Sequence, residues 1–137
     1  MLKQQGKPDE AVKALREAIR LAPDFAGAHT TLAAVLRQLG DAQGAAAESR
    51  AGVELAKRST DLQAAVFATN SGKRLRATGD LDNAVTQFRA ALAVAPDYAP
   101  AHFELGLTLQ QQGKKEEARR ELEKAASLDP KLVPPRP

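Results

Sequence analysis

Four turns led by glycine constrain this chain more than any other feature. They read Gly6-Lys7-Pro8-Asp9-Glu10-Ala11, Gly40-Asp41-Ala42-Gln43-Gly44-Ala45, Gly79-Asp80-Leu81-Asp82-Asn83-Ala84 and Gly113-Lys114-Lys115-Glu116-Glu117-Ala118. The glycines stand 34, 39 and 34 residues apart, a period that marks stacked helical hairpins. Each follows a helical run, where glycine can take the left-handed conformation that ends a helix. The polar and acidic residues that come next suit the positive end of a new helix. Pro8 falls in a first helical turn, where its missing N–H does no harm.

The same core pattern follows each turn. It reads Ala11, Leu15, Ala18, Ile19, Leu21, then Ala45, Ser49, Gly52, Val53, Leu55, then Ala84, Phe88, Ala91, Leu92, Val94, and last Ala118, Leu122, Ala125, Ala126, Leu128. Spacings of three and four put each set on one helix face. Small residues let a neighbouring backbone approach, and large ones fill the space beside it. Proline closes three of the units, at Pro23, Pro96 and Pro130. Much of the apolar content is alanine and aromatics are few, a composition suited to closely packed helices.

This pattern resembles the tetratricopeptide repeat (TPR) family. Within residues 97–130, His102, Leu105, Gly106, Leu109, Ala118, Leu122, Ala125 and Pro130 stand at the family's eight characteristic positions. The second unit matches with His29, Leu32, Ala33, Leu36 and Ala45 and then weakens, and the third matches well in its second helix. The resemblance implies an all-α fold of antiparallel helix hairpins, stacked in a right-handed superhelical solenoid. About three and a half units are expected, near 1–23, 24–57, 58–96 and 97–130. The helices are expected over 8–21, 25–39, 42–56, 81–94, 98–112 and 115–128, with a helical stub at 1–5. Residues 131–137 are rich in proline and are expected to be an extended tail.

One spacing breaks the pattern. The 39-residue interval inserts five residues between Leu55 and Gly79, and Lys57 stands where a closing proline is expected. Thr60 or Asp61, with Gln63 as capping partner, signals a new helix over about 60–78. That helix carries Ala68 in place of the histidine, Ser71 in place of a leucine and Arg74 at a packing position. Either it repacks locally, with the Arg74 stem lying over the core, or the departure is a functional site. Both ends also lack the polar capping element that a solenoid needs. Val12, Leu15 and Ile19 have no full first helix over them, and no helix follows 115–128. The reading is a fragment of a longer array, or a homo-oligomer joined through the N-terminal or C-terminal helix.

In the family, the first helices of the units line a concave groove. The resemblance places Thr30, Thr31, Ala34, Arg37 and Gln38 there from the second unit, with Thr69, Asn70, Lys73, Arg76 and Ala77 from the third. The fourth contributes Phe103, Glu104, Leu107, Gln110 and Gln111. Arg37, Lys73 and Arg76 make a positive stripe, Asn70 can bond a peptide backbone as donor and acceptor, and Phe103 can receive an apolar side chain. Lys73 and Arg76 can pair a carboxylate. The expected function is a non-enzymatic adaptor or scaffold that binds a protein or peptide, extended and partly acidic, in this groove. The alternatives are a structural self-assembly module or a fragment of a larger repeat protein. The bland reading of the stripe is a solvated helix face. One branch of the family grips C-terminal carboxylates with two lysines, two asparagines and an arginine. Only Asn70 matches that clamp, and Glu104 holds the arginine's position, which argues against a chaperone C-terminus.

Other chemistries find little support. The chain has no cysteine, so disulfides and thiolate metal sites are excluded. His29 and His102 occupy equivalent repeat positions and have no ligand at metal-binding spacing, so no metal or cofactor is expected. No serine or threonine has a histidine base placed by a motif, and no glycine loop has phosphate-cradling spacing. A net charge of +3, with one tyrosine and four phenylalanines, is thin support for nucleic-acid binding. No apolar run approaches a membrane span. With Met1 as the natural start, the absence of a hydrophobic signal core gives a cytoplasmic expectation.

Overall fold

The computed structural model describes residues 7–134, so the expected stub at 1–5 and residues 135–137 lie outside the described residues. Helices are α1 (Lys7–Leu21), α2 (Ala26–Gln38), α3 (Ala42–Ala77), α4 (Leu81–Val94), α5 (Ala99–Gln111) and α6 (Lys115–Leu128), and no strand occurs among the described residues. All but α3 fall within one residue of the spans read from the sequence. Residues 132–134 form neither helix nor strand.

The glycine turns stop the helices as their chemistry demands. Gly40, Gly79 and Gly113 have φ of 84°, 87° and 82°, the left-handed region that a side chain disfavours. Around each, the backbone closes the same pair of bonds. Asp41, Asp80 and Lys114 donate N–H to the carbonyls of Leu36, Leu75 and Leu109, each at 2.9 Å. The glycine N–H groups reach Arg37, Arg76 and Gln110 at 3.1, 2.9 and 3.0 Å. This paired bonding satisfies carbonyls that a helix end leaves open. The next helix is then capped, since Asp41 accepts from Gly44 N at 2.9 Å and Asp80 accepts from Asn83 N at 3.4 Å.

The sequence predicts a break near residue 58 and a fresh cap at Thr60 or Asp61, but α3 is helical through all 36 of its residues. The reason is local. Lys57 removes the proline that would end the helix, and Ala56 to Thr60 all tolerate helical backbone, so continuing it satisfies every amide. Arg74 does not cover the core. It is exposed and donates to Ser71 Oγ at 3.4 Å.

The chain divides into two compact units, Met1–Ser59 and Thr60–Pro137. In the first, Leu32, Leu36 and Ala45 are buried, with Val12, Leu15 and Ile19 of α1 half-buried against them. In the second, Ala84, Val85, Phe88, Leu105, Leu109 and Ala118 form the main core, joined by Leu75 and Leu92. Phe88 is fully buried and faces Gly72, where a Cβ would lie 2.5 Å from the ring. The missing side chain is what lets α3 approach α4. A second cluster seats α5, with Ala65, Ala91 and Ala101 buried beside Ala68, Leu92, Ala95 and Tyr98.

Candidate functional site

The groove residues read from the sequence divide between the two units. Thr31 and Arg37 are exposed on α2 in the first unit. The remaining eight lie in the second, on α3 and α5. Thr69, Lys73 and Arg76 share one face of α3, and Phe103, Leu107 and Gln110 share one face of α5, each set at spacings of four and three.

One contact joins these helices at the site. Arg76 Nη2 lies 3.1 Å from Glu104 Oε2 and donates to Oε1 at 3.4 Å, and Nη1 donates to the Glu104 carbonyl at 3.3 Å. That carbonyl also accepts from Thr108 Oγ1 at 2.7 Å. Both charged side chains are mostly covered, so each has exchanged water for the other, and removing one partner would strand the second. Of the expected positive stripe, Arg76 and Lys73 differ in what surrounds them. Arg76 is held by Glu104 and is not a free guanidinium for a ligand carboxylate. Lys73 is exposed and has no ion pair among the described residues.

Two more of the expected positions are buried. Thr69 is only 3% exposed and faces inward, and its hydroxyl is buried without a hydrogen-bond partner. Glu104 is likewise buried. Asn70 is exposed, while Phe103 and Leu107 are half-buried. Gln110 is exposed and lines an open depression of about 680 Å³ at the C-terminal end, with Lys115, Arg119, Leu122, Glu123, Ala126 and Pro134. Of the expected groove residues in the second unit, Asn70, Lys73 and Gln110 are thus exposed and Phe103 and Leu107 half-buried.

The histidines have partners that were not read from the sequence. His102 Nδ1 lies 2.8 Å from Glu121 Oε2 and Nε2 lies 2.7 Å from the Pro96 carbonyl, tying α5 to α6 and to the preceding turn. His29 repeats this with Glu48 at 2.6 Å and the Pro23 carbonyl at 3.4 Å. A signal was available. Both glutamates stand 19 residues after their histidine, and the unit with Ala68 instead carries Gln87 there. Among the described residues, no group of three His, Cys, Asp or Glu side chains is placed to hold a metal ion. No described helix is long and apolar enough to cross a membrane.

No curated protein matches the chain. Among solved structures, MamA is 21% identical over 93% of this chain and 72% of its own, with a TM-score of 0.48. PilF of Pseudomonas aeruginosa is 25% identical over 94% of this chain and 58% of its own, with a TM-score of 0.46. BtubC of P. vanneervenii is 19% identical over 96% and 61%, with a TM-score of 0.48. The assignment rests instead on sequence. The TPR repeat model matches residues 1–40 and 72–113, more than half the chain, and the tetratricopeptide repeat model matches 99–132. Residues 41–71, between the two stretches of the first match, lie almost wholly on α3. With its glycine-closed helix hairpins and these matches, the chain belongs to the tetratricopeptide repeat family.

Proposed function

We propose that this protein-interaction module is non-enzymatic and binds an extended protein segment across the open surface of its second unit. Asn70 and Lys73 of α3 and Phe103 and Leu107 of α5 are the contact residues. The Arg76–Glu104 bridge carries the reading: it ties the two helices together, so that both contribute to one surface. Asn70 would bond the backbone of the bound segment, Lys73 one acidic group, and Phe103 with Leu107 an apolar side chain. With Arg76 already neutralised, the ligand needs one carboxylate rather than an acidic run. A second reading, self-association at the C-terminal end, is favoured by the depression beside Leu122, Ala126 and Pro134.

The test is selection from a displayed random-peptide library on the immobilised chain. Enriched peptides should carry an acidic residue near an apolar one. They should bind a Lys73→Glu, Phe103→Ala variant at least roughly tenfold more weakly, the loss of about one good contact. Circular dichroism would establish that the variant remains helical. Arg76 is a poor choice for this test, because its removal strands Glu104. If no peptide is enriched, or the enriched peptides bind the variant as tightly as the parent, the proposal fails.

A further inference from the structure

The two histidines sit in the same surroundings, one in each compact unit. His102 Nδ1 lies 2.8 Å from Glu121 Oε2, and its Nε2 lies 2.7 Å from the Pro96 carbonyl. His29 has Glu48 Oε2 at 2.6 Å and, less tightly, the Pro23 carbonyl at 3.4 Å. A carbonyl oxygen can only accept a hydrogen bond, and so can an ionised carboxylate. Each ring therefore faces acceptors at both nitrogens. A neutral imidazole has a single N–H, so its other nitrogen would turn a lone pair toward an oxygen. An imidazolium has two N–H groups and fills both bonds. A proton left on the carboxyl group would fit the same distances, but imidazole is the stronger base: a free imidazolium ionises at about pH 6.5, a free glutamic acid at about pH 4.3. The Glu48 and Glu121 side chains are also 28% and 27% exposed, so water still supports their charge.

We infer that both histidines are held as imidazolium ions in the folded chain, and that each proton acts as a ligand that closes one hairpin. With the proton bound, His102 ties α5 to α6 and to the turn at Pro96, and His29 ties α2 to the first part of α3 and to the turn at Pro23. Without it, one bond of each pair is lost inside a mostly covered site, where water is slow to replace it. From the second helix the group facing each ring is the glutamate, and from the turn it is an uncharged carbonyl. Among the described residues neither ring and neither glutamate has another ion pair, so no second cation competes for these carboxylates. The hairpin between them lacks the device. Ala68 and Gln87 stand at its two positions, each 34 residues before His102 and Glu121. The α3–α4 hairpin should therefore be indifferent to the protons that close its neighbours.

Above about pH 6.5 an imidazole in the unfolded chain is mostly neutral, while the folded ring keeps its second N–H. The folded chain then holds up to two protons more than the unfolded one, so stability falls as pH rises. The unfolding constant should grow by up to roughly tenfold per pH unit for each ring. With two histidines and no cysteine, the α-amino group is the one other group whose ordinary value falls between about pH 6 and pH 9. Nitrogen-15 spectra of labelled histidine at about pH 7.5, where a free ring is neutral, should show for His102 the closely spaced ring signals of an imidazolium rather than the widely separated pair of a neutral tautomer. Glu121→Gln should return His102 to the neutral pattern, because the amide can donate to the ring, and should leave His29 as it was. Urea unfolding from about pH 6 to pH 9 should give a constant that rises by more than roughly tenfold in the parent chain and much less in a His29→Gln, His102→Gln variant. A neutral pattern for His102 in the folded parent would overturn the inference. So would a pH dependence that survives unchanged in the double variant.

Discussion

Gly72 offers the sharpest test of the packing, because two opposing effects of known size meet there. An alanine at an interior helix position is worth about 0.8–1.0 kcal/mol over glycine. On an isolated helix, Gly72→Ala would therefore stabilise. In the fold, the new Cβ would lie 2.5 Å from Phe88 Cε1 and 2.8 Å from both Cδ1 and Cζ. Ordinary carbon contacts are about 3.5–4.0 Å, so the ring must retreat by about 1 Å. It has little room to do so. Phe88 is fully buried among Ala84, Val85, Leu105, Leu109 and Ala118. Overpacking of this kind costs about 1–3 kcal/mol, and a large displacement of a buried ring sits toward the upper end. The net expectation is a loss of about 1–2 kcal/mol. Urea denaturation followed by circular dichroism measures it. Phe88→Leu makes room at its own cost, so the double variant should be more stable than the two single losses predict, by about 1 kcal/mol. An exposed Ala47→Gly substitution in the same helix calibrates the propensity effect alone. If Gly72→Ala stabilises by the full propensity gain, the approach of α3 to α4 at Phe88 is wrong.

Two further outcomes follow from buried groups. Thr69→Val should raise stability by about 0.5–2 kcal/mol, because it removes a buried hydroxyl that has no partner and keeps the branched shape; a lower melting temperature would mean that the hydroxyl is bonded after all. Burial raises the Tyr98 phenol above its ordinary 10.0, so the folded state resists ionisation, and this contribution to stability is complete below that value and lost as pH rises through the raised one. Tyr98 is the chain's single tyrosine, so ultraviolet titration reads it directly. Its midpoint should lie above 10.0, and Tyr98→Phe should lose less stability than the parent as the solution becomes alkaline.

What could be read in the sequence and what could not divide along a physical line. Helix ends are local events. The left-handed glycines, the carbonyls they satisfy and the aspartates that cap the next helix all lie within a few residues, so period and composition reveal them. The continuity of α3 is also local, but there the competing signals are weak. Thr60 can cap a helix or sit inside one, and without a proline at 57 nothing forces the first choice. The site depends on contacts that no local rule sets. Thr69 and Asn70 are adjacent, yet a turn of about 100° buries one and exposes the other. Arg76 meets Glu104 across 28 residues, a spacing that only the seating of α5 on α3 creates.

That last contact also bears on where function should be sought. Arg37, Arg76 and Gln110 share one repeat position, and Thr31, Asn70 and Glu104 share another. At the α3–α5 junction the pair is Arg76 with Glu104, a charge matched by a charge and mostly covered. One unit earlier the same two positions hold Arg37 and Asn70, a cation and a neutral amide, both exposed. The two positions that lock α3 to α5 are thus exposed where they recur as Arg37 and Asn70. Function is better sought at such unlocked copies than at Arg76 and Glu104, whose charges already satisfy each other.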